Sequence, residues 1–514
     1  MKQNPADPPL KNRKETLVLI ISVFIAGLCS IVYELLIGTA SSYFLGDSVR
    51  QFSLTIGLYM AAMGIGSYAS RLIRRHLLSS FIGVEILLGF LGGISIPILY
   101  VCYAYTRSYT FFMVILILLI GILIGLEIPL LTRLMERYYS LKINISNVLS
   151  VDYLGALIAT LLFPFVFLPL MGTFRSSLFF GLINMGIGYL NLWCFREDLK
   201  ISHRRFYYLL STGICLFLGL MLFFSQFMLR QWNSSLYQDR VIFTRQSPYQ
   251  EIVLTKYKAD IRMFINGNLQ FSSIDEYRYH EVLVHIPFST APRRDRVLLL
   301  GGGDGLAVRE MLKYPDLGEI DLVDLDPEII RIASENPHLK ALNRNSLKNR
   351  KVKIINTDAF RFLEESARRY DIIIADLPDP NNSSLARLYS REFYRLIRRH
   401  LSKGGVFLSQ ATSPYFAPQA FWCIRRSMAA AGLRTLPCHV YVPSFGDWGF
   451  VLGSEFSMEK EDIRISVPTG YLTEDILPGL FVFPPDMREE NPEISTLDQP
   501  NILEYYRQGW KYWN

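Results

Sequence analysis

The stretch Val297-Leu-Leu-Leu-Gly-Gly-Gly-Asp-Gly-Leu-Ala-Val-Arg-Glu-Met-Leu312 decides the fold of the second half of this chain. An apolar run leads into three glycines, an aspartate and a fourth glycine, and a helical pattern follows. A strand, a glycine-rich turn and a helix in this order are typical of the first unit of a nucleoside-binding α/β fold. Asp304 is unusual in this turn, because a carboxylate beside the bound ligand favours a cation over a phosphate.

Strand and helix patterns alternate after this turn, which predicts a Rossmann-like (methyltransferase-like) α/β domain with a parallel sheet. Ligands of such sheets bind outside the carboxyl ends of the strands. Five carboxylates are expected at that edge: Asp304, Asp324, Asp358, Asp376 and Asp379.

The positions of these carboxylates suggest a ligand. Asp324 follows the glycine loop by about 20 residues, the spacing at which an acidic residue accepts hydrogen bonds from ribose hydroxyls. Asp358, at the end of the next strand, is expected to contact an adenine amino group. The other three face a cationic group, and crowding of like charges raises the pKa of one of them toward that of a base near neutral pH.

The segment 237–290 has short β-rich runs and an Asn266-Gly267 turn, which predict a small antiparallel β unit. A helix with Tyr279 and His280 is expected over 274–286.

The N-terminal half is predicted to be an α-helical multi-pass membrane domain. Apolar residues make up 50% of the chain and charged residues only 19%, and the apolar excess precedes residue 230. Runs of about 20 mostly apolar residues span a bilayer as helices. There are seven such runs, near 16–38, 53–70, 81–104, 110–131, 149–170, 176–195 and 206–229.

The net charge of +7 is interpreted as membrane topology and not as nucleic-acid binding, because basic residues cluster in loops between the apolar runs. Their alternation predicts a cytoplasmic N-terminus. Seven crossings would then put the C-terminal domain outside, away from cytosolic substrates, so either one run does not cross or substrate access differs. Four carboxylates within the runs indicate either a function or local pairing: Glu34, Glu85, Glu127 and Asp152.

Several motifs together resemble the spermidine synthase family, the polyamine aminopropyltransferases, in its membrane-bound branch. They are Ser247-Pro-Tyr-Gln-Glu-Ile252, Asp275-Glu-Tyr-Arg-Tyr-His-Glu281, Gly301-Gly-Gly-Asp-Gly305, Asp371-Ile-Ile-Ile-Ala-Asp-Leu-Pro-Asp-Pro380 and Gly449-Phe-Val-Leu-Gly-Ser454. The resemblance covers roughly 237–485.

The resemblance implies transfer of an aminopropyl group from decarboxylated S-adenosylmethionine, a co-substrate, to putrescine. The products would be spermidine and 5′-methylthioadenosine, with no metal and no resident cofactor. It also implies a role for each matched residue. Asp376 would accept the proton, Asp379 would bind the acceptor amine, and His280 and Asp304 would hold the amines. Gln250, Asp324, Asp358 and Ala359 would contact the nucleoside around the loop glycines Gly301, Gly302, Gly303 and Gly305.

This sequence departs from the family pattern near the acceptor. Asn381, Asn382 and Ser383 follow Asp379-Pro380 where the family usually has Gly-Pro, and Phe445 and Trp448 occupy a region that is often more polar. Two alternatives stay open: an S-adenosylmethionine-dependent methyltransferase, and a non-catalytic polyamine-binding or transport protein of the membrane.

The expected organisation is an N-terminal tail, a membrane domain with about seven transmembrane helices, a β unit with its linking helix, the aminopropyltransferase domain and a C-terminal tail. Their expected ranges are 1–15, 16–230, 237–290, 291–488 and 489–514. The expected location is the cell membrane, with the lipid bilayer as a partner, no nucleic-acid partner, and a homodimer left open as the assembly.

Overall fold

The computed structural model describes residues 10–511 except 47, 107, 137, 139, 140 and 238. The chain forms two compact units, Met1–Gln238 and Asp239–Asn514. Most of the expected N-terminal tail and the aromatic residues Tyr512 and Trp513 of the C-terminal tail lie outside the described residues.

The described part of the first unit is helical. Many side chains on the outside of its helices are apolar as well as those between helices, for example Leu54, Phe111 and Leu209. A helix that is apolar all round is typical of a membrane span. The helices are α1 (Leu10–Leu45), α2 (Ser48–Ala69), α3 (Leu77–Tyr105), α4 (Tyr109–Met135), α5 (Leu141–Leu162), α6 (Leu168–Cys194), α7 (Ile201–Phe223) and α8 (Ser225–Leu236).

Six helical runs in the described residues are long and apolar enough to cross a membrane, and one of them, Asn144–Cys194, has 51 residues. It contains α5, a π-helical turn at Phe163–Phe167, and α6. Gly172 leaves the helical backbone with φ 69° and ψ 178°, so two helices meet there. The seven apolar runs of the sequence therefore fall on α1 to α7, with the last continuing into α8.

Glycines bring α2 and α4 into backbone contact. A Cβ added to Gly66 or Gly125 would lie 2.1 Å from a carbonyl oxygen of the opposite helix. Small residues at such crossings are typical of helices packed in a membrane, where close approach replaces hydrophobic burial as a source of stability.

The second unit begins with the expected four-stranded antiparallel sheet, in the order β1-β2-β3-β4. Asn266 and Gly267 have φ angles of 49° and 79°, which the two central residues of a tight hairpin turn need. A helix follows where one was expected. These elements are β1 (Arg240–Gln246), β2 (Glu251–Tyr257), β3 (Asp260–Ile265), β4 (Asn268–Ser272) and α9 (Glu276–Thr290).

A seven-stranded sheet forms the centre of the second unit. Its strands are β5 (Arg296–Gly301), β6 (Glu319–Asp324), β7 (Val352–Asn356), β8 (Tyr370–Asp376), β9 (Leu401–Gln410), β10 (Arg434–Val442) and β11 (Gly446–Ser454). The order is β10-β11-β9-β8-β5-β6-β7, and β5 lies between β6 and β8. The chain builds outward from β5 to β6 and β7 on one side and then crosses to β8 on the other side. This reversal of strand order at β5 opens a crevice at the carboxyl ends of the strands.

The fold class predicted from the sequence is confirmed, with one correction. The sheet is mixed and not wholly parallel, because β11 pairs antiparallel with β9 and β10 pairs antiparallel with β11. Helices and apolar cores cover both faces of the sheet. The helices are α10 (Leu306–Met311), α11 (Pro327–Glu335), α12 (Pro337–Leu342), α13 (Ala359–Glu365), α14 (Ser383–Ala386), α15 (Arg391–His400), α16 (Pro418–Ala430) and α17 (Asn501–Trp510).

Candidate active site

The glycine loop after β5 lies against the ends of both neighbouring strands. A Cβ on Gly301 would lie 2.0 Å from the carbonyl oxygen of Asp376, and one on Gly303 would lie 2.6 Å from Asp324 Oδ2. Gly301, Gly302 and Gly305 have φ angles of 81°, 71° and 80°. Glycine is therefore required in this loop both by its backbone conformation and by lack of space.

Asp324 ends β6 beside this loop. Its Oδ2 accepts a hydrogen bond from the Gly303 N–H at 3.1 Å and its Oδ1 one from the Asp326 N–H at 2.9 Å. Burial raises the pKa of Asp324 to about 6, although these two hydrogen bonds act to lower it. Each carboxylate oxygen has a second lone pair, which can accept a hydrogen bond from a vicinal hydroxyl of a ribose.

The turn that carries Gln250 is fixed close to the end of β6. The Ser247 hydroxyl donates to Asp326 Oδ2 at 2.7 Å, and the Gln250 N–H donates to that hydroxyl at 3.0 Å. The small antiparallel sheet thus brings Gln250 to the end of the strand that carries Asp324.

Asp358 and Ala359 lie at the start of α13. Asp358 Oδ1 caps this helix by accepting a hydrogen bond from the Arg361 N–H at 3.0 Å, and Oδ2 forms an ion pair with Arg387. The side chain of Ala359 is buried in the core on that face of the sheet. Asp358 thus has structural partners of its own, which the sequence did not indicate.

His280, on α9, and Asp304, in the loop after β5, lie close enough to act on each other electrostatically. His280 Nδ1 lies 2.8 Å from Glu276 Oε2 and 2.9 Å from the Glu276 carbonyl oxygen. Both are acceptors, so Nδ1 carries a hydrogen and Nε2 is the acceptor of the neutral ring. Burial lowers the pKa of His280, but Glu276, Asp304 and Asp376 outweigh it and raise the pKa to about 9.

Asp304 sits in the loop with its Oδ1 accepting a hydrogen bond from the Leu306 N–H at 2.9 Å. Burial raises its pKa to about 6; the charge of His280 lowers it and that of Asp376 raises it. Asp304, His280 and Asp376 therefore form one electrostatically linked group, as the sequence predicts for residues at this edge.

Asp376 ends β8 directly beside Gly301. The Tyr279 hydroxyl donates to its Oδ1 at 2.6 Å. Burial raises the pKa of Asp376, and the charge of His280 and the hydrogen bond from Tyr279 act against that rise. A buried carboxylate with few donors is a better proton acceptor than one in water.

Asp379 lies three residues further along, among neutral hydrogen-bond donors. Gln410 Nε2 and the Thr412 hydroxyl donate to its two oxygens, each at 3.3 Å. Burial raises the pKa of Asp379 to about 6, while hydrogen bonds from Gln410, Tyr506 and Thr412 act to lower it. Gln410 also donates to the Leu377 carbonyl at 2.6 Å, which holds the loop after β8 in place.

Sequence reasoning missed four residues of this site. Tyr279 was overlooked because it stands next to His280, the residue that the motif singled out. Gln410 could have been found, because it ends the strand beside β8, where ligand-binding residues are expected. Thr412 follows Gln410 closely. Tyr506 lies on α17, in the C-terminal segment to which the sequence assigned no role, and no local pattern indicates that this helix reaches Asp379.

The remaining carboxylates of the α9 motif are structural. Glu276 is held by Arg309 through contacts of 2.7 and 3.0 Å. Glu281 accepts hydrogen bonds from three successive N–H groups at 470–472. Asp275 accepts two from Ser444, which anchors the loop before β11. The motif thus fixes α9, and α9 positions Tyr279 and His280.

Comparisons with known proteins match both units. The Spermine/spermidine synthase domain matches residues 276–463. A polyamine aminopropyltransferase of Leptospira interrogans is 44% identical over 495 residues, which are 96% of this chain and 98% of the relative. Polyamine aminopropyltransferase 1 of Ralstonia nicotianae is 42% identical over 98% of this chain and 97% of its own.

Among solved structures, a spermidine synthase in complex with the transition-state analogue AdoDATO is 24% identical, with a TM-score of 0.45. The match covers 48% of this chain and 85% of that one.

Proposed function

Because the chain belongs to the polyamine aminopropyltransferase family, we propose that the carboxyl edge of its sheet transfers an aminopropyl group from decarboxylated S-adenosylmethionine to putrescine or a related amine. The products are spermidine, or the corresponding longer amine, and 5′-methylthioadenosine. The observation that carries this assignment is the group of three partly buried carboxylates at this edge, Asp304, Asp376 and Asp379, with His280 beside the first two.

The reaction is a displacement at carbon. The lone pair of the acceptor nitrogen forms a bond to the aminopropyl carbon next to sulfur, and the carbon–sulfur bond breaks. Its electron pair stays on sulfur, which becomes the neutral thioether of methylthioadenosine. The acceptor nitrogen must lose a proton first, since an ammonium has no lone pair. The protein therefore has to position two cations and to accept one proton.

Asp376 is the residue best suited to accept that proton. It ends β8 in the centre of the edge, and burial raises its pKa. Tyr279 fixes one of its oxygens at 2.6 Å, so the other oxygen can face the amine. General-base catalysis of this kind contributes roughly 10²- to 10⁴-fold to the rate.

Asp304 and His280 suit the donor. The aminopropyl end of decarboxylated S-adenosylmethionine is an ammonium, and Asp304 is a carboxylate at the glycine loop. The His280 ring, whose pKa of about 9 keeps it protonated in the free protein at neutral pH, offers Nε2 as an acceptor once it is neutral. A bound ammonium would oppose a second positive charge there and favour this neutral form. Ordinary S-adenosylmethionine carries a carboxylate that Asp304 would repel, which argues against the methyltransferase alternative.

Asp379 suits the far amine of the acceptor. Its donors Gln410, Thr412 and Tyr506 keep its carboxylate in place without adding a positive charge. On the nucleoside side, Asp324 accepts hydrogen bonds from the ribose hydroxyls, and Gln250 lies near Asp324. Asp358 and Ala359 lie toward the adenine, where Asp358 acts through its cap on α13 and its ion pair with Arg387.

The test is product analysis by mass spectrometry with the full chain, both sulfonium donors and a panel of di- and triamines. Methylthioadenosine together with an amine extended by one aminopropyl unit is the expected result. A methylated product, or tighter binding of ordinary S-adenosylmethionine than of the decarboxylated form, would favour the methyltransferase. The absence of product from any amine would favour the non-catalytic polyamine-binding or transport protein.

Asp376→Asn separates catalysis from binding. The variant should lose roughly 10²- to 10⁴-fold in kcat and keep its affinity for the donor. The matched control is Asp475→Asn, an exposed aspartate, which should leave kcat unchanged. Equal loss of donor affinity and turnover in Asp376→Asn would make this residue part of the donor site and not the base.

For the helical unit we propose insertion in the cell membrane as a multi-pass domain. The length and apolar composition of its candidate spans support this location. The proposed organisation keeps the predicted ranges, 16–230 for the membrane domain and 291–488 for the transferase domain, with 237–290 between them.

A further inference from the structure

Two carboxyl groups meet inside the helical unit, far along the sequence from the catalytic residues. Glu85 on α3 and Glu127 on α4 are each 1% exposed. Their carboxyl groups lie within hydrogen-bonding reach of each other. Among the residues that the structure describes, no N–H or O–H group donates a hydrogen bond to any of the four oxygens.

Polar side chains from other helices of this unit lie near the two glutamates. Tyr33 of α1 is fully buried, its hydroxyl lies within hydrogen-bonding reach of the Cys29 thiol, and it acts electrostatically with both glutamates. Asn184 of α6 is also fully buried, with neither polar atom of its amide paired. Gly188, one turn along α6, has its Cβ position 3.9 Å from Glu85 Cβ. Unpaired buried polar groups of this kind are rare in proteins and each calls for a physical explanation.

The charged and titratable groups around the pair are acidic or neutral. Asp152 of α5 faces Glu127, and its carboxyl is only half-buried. No lysine, arginine or histidine acts on either glutamate among the described residues. The titratable groups that face the pair or its immediate neighbours are Cys29, Tyr33 and Glu34 of α1, Tyr59 of α2 and Asp152 of α5.

A proton is the cation that fits this pair. Two carboxylates this close in a medium of low dielectric constant cannot both be ionised, and a hydrogen bond between them needs a hydrogen on one. A metal ion needs more ligands, and within the described ranges no group of three or more His, Cys, Asp or Glu is arranged to hold one. Ionisable residues inside membrane helices commonly mark the path of a proton or ion.

We propose that Glu85 and Glu127 form a proton-binding site in the helical unit, in which the two carboxyl groups share one proton that exchanges with water. Asp152, less buried than either glutamate, is the group through which the proton exchanges. This site is separate in sequence from the residues to which we assign the aminopropyl transfer reaction, all of which lie in the second unit.

Infrared spectroscopy of the full chain in lipid tests the site directly, because a protonated carboxyl group has a carbonyl band of its own. At neutral pH the unaltered protein should show this band, and the band should shift in heavy water. Glu85→Gln and Glu127→Gln should each change its frequency, and the double variant should lose it. The control is Asp198→Asn, an exposed carboxylate in the loop after α6.

The result that would overturn the proposal is a spectrum of the unaltered protein at neutral pH without an exchangeable carboxyl band. A band that is the same in the double variant as in the unaltered protein would overturn it as well. Elution of each variant in size-exclusion chromatography at the volume of the unaltered protein reports that it has folded.

Discussion

At the scale of single residues, the acceptor side of the site is built from neutral donors around one carboxylate. Asp379 is surrounded by Gln410, Thr412 and Tyr506, which come from the end of β9, the loop after it, and α17. Neutral donors fix the direction of a carboxylate and leave its charge for the ligand. The tyrosine is the most easily tested of the three, because removal of one hydroxyl changes little else.

Tyr506→Phe should weaken the use of the amine and leave the donor unaffected. Hydrogen bonds to charged groups contribute about 1.5–3 kcal/mol, so kcat/KM for the amine should fall roughly 10- to 100-fold. Steady-state kinetics with each substrate varied in turn measures this. Tyr505→Phe, the neighbouring tyrosine, is the control. An unchanged KM for the amine would show that Tyr506 does not position Asp379.

The dependence of kcat/KM on pH should follow the ionisation of the carboxylates that hold the amines. Asp304 and Asp379 have pKa values of about 6, raised by burial, so they are ionised above pH 6 and become protonated below it. A protonated carboxyl does not hold an ammonium, and kcat/KM should fall roughly tenfold per pH unit below about 6 for each carboxylate that matters. Because a bound cation stabilises the ionised form, the profile of kcat should bend at a lower pH. A value of kcat/KM that stays constant down to about pH 5 would contradict this assignment of the carboxylates.

The substitution Gly303→Ala should weaken binding of the aminopropyl donor. The added methyl group would lie 2.3 Å from Ile329 Cγ2 and 2.6 Å from Asp324 Oδ2, so Asp324 must move. We expect at least a tenfold weaker donor affinity, measured by calorimetry, since a misplaced carboxylate loses its hydrogen bonds to the ribose. Gly479→Ala is the control, because nothing lies within 4 Å of its Cβ position. Equal donor affinity in the two variants would exclude Asp324 as a ribose ligand.

At the scale of elements, α17 completes the site from the C-terminal segment. It packs on α16 so closely that a Cβ on Gly509 would lie 2.6 Å from the Ala417 Cα. The ring of Trp510 packs at 5.0 Å from that of Phe416. The close fit at Gly509 and Trp510 determines where Tyr506 lies.

Gly509→Val should therefore displace α17 and have a larger effect on amine KM than Tyr506→Phe, while donor affinity stays the same. The comparison uses the same kinetics, with Gly479→Ala again as control. Loss of donor affinity together with amine affinity would mean that the whole domain is disturbed, and the assignment of α17 to the acceptor side would be wrong.

The elements show which parts of the site a sequence can predict. The glycine loop, Asp324 and Asp376 are found because each follows an apolar run at a fixed position, and a parallel sheet brings such ends together. Tyr506 cannot be found in this way, since its contact with Asp379 depends on the packing of α17 against α16. The partners of Asp358 were missed for the same reason, because Arg387 reaches it from a separate helix.

At the scale of the whole molecule, the N-terminal unit has the candidate spans, and the second unit is built around apolar cores on the two faces of its sheet. The sequence predicted seven apolar runs, and two of them lie in the single helical run Asn144–Cys194, which the kink at Gly172 divides into two helices. If the helical unit is inserted as proposed, the number of crossings decides on which side of the membrane the catalytic edge lies, and the charges in the loops predict a cytoplasmic N-terminus.

The chain should stay in the membrane fraction after an alkaline carbonate wash, because helices that span the bilayer are not released by removal of electrostatic contacts. Both cysteines of the catalytic unit, Cys423 and Cys438, are buried, so its side of the membrane is measured in intact cells with an impermeant thiol reagent and the variant Asp475→Cys, at an exposed position. Seven crossings from a cytoplasmic N-terminus should expose this cysteine to the reagent, and an even number should protect it. Release of the chain by the wash would contradict the proposed membrane insertion.

The distance along the chain between the parts of the site has a consequence for the order of folding. Gly303 and Asp324, on the donor side, are close in sequence, whereas Tyr279, Asp379 and Tyr506 are brought together from three distant segments. Contacts between distant segments form late, because closing long loops costs more entropy. During refolding the protein should therefore regain nucleoside binding before it regains turnover, and for that interval it would hold its donor without being able to use it.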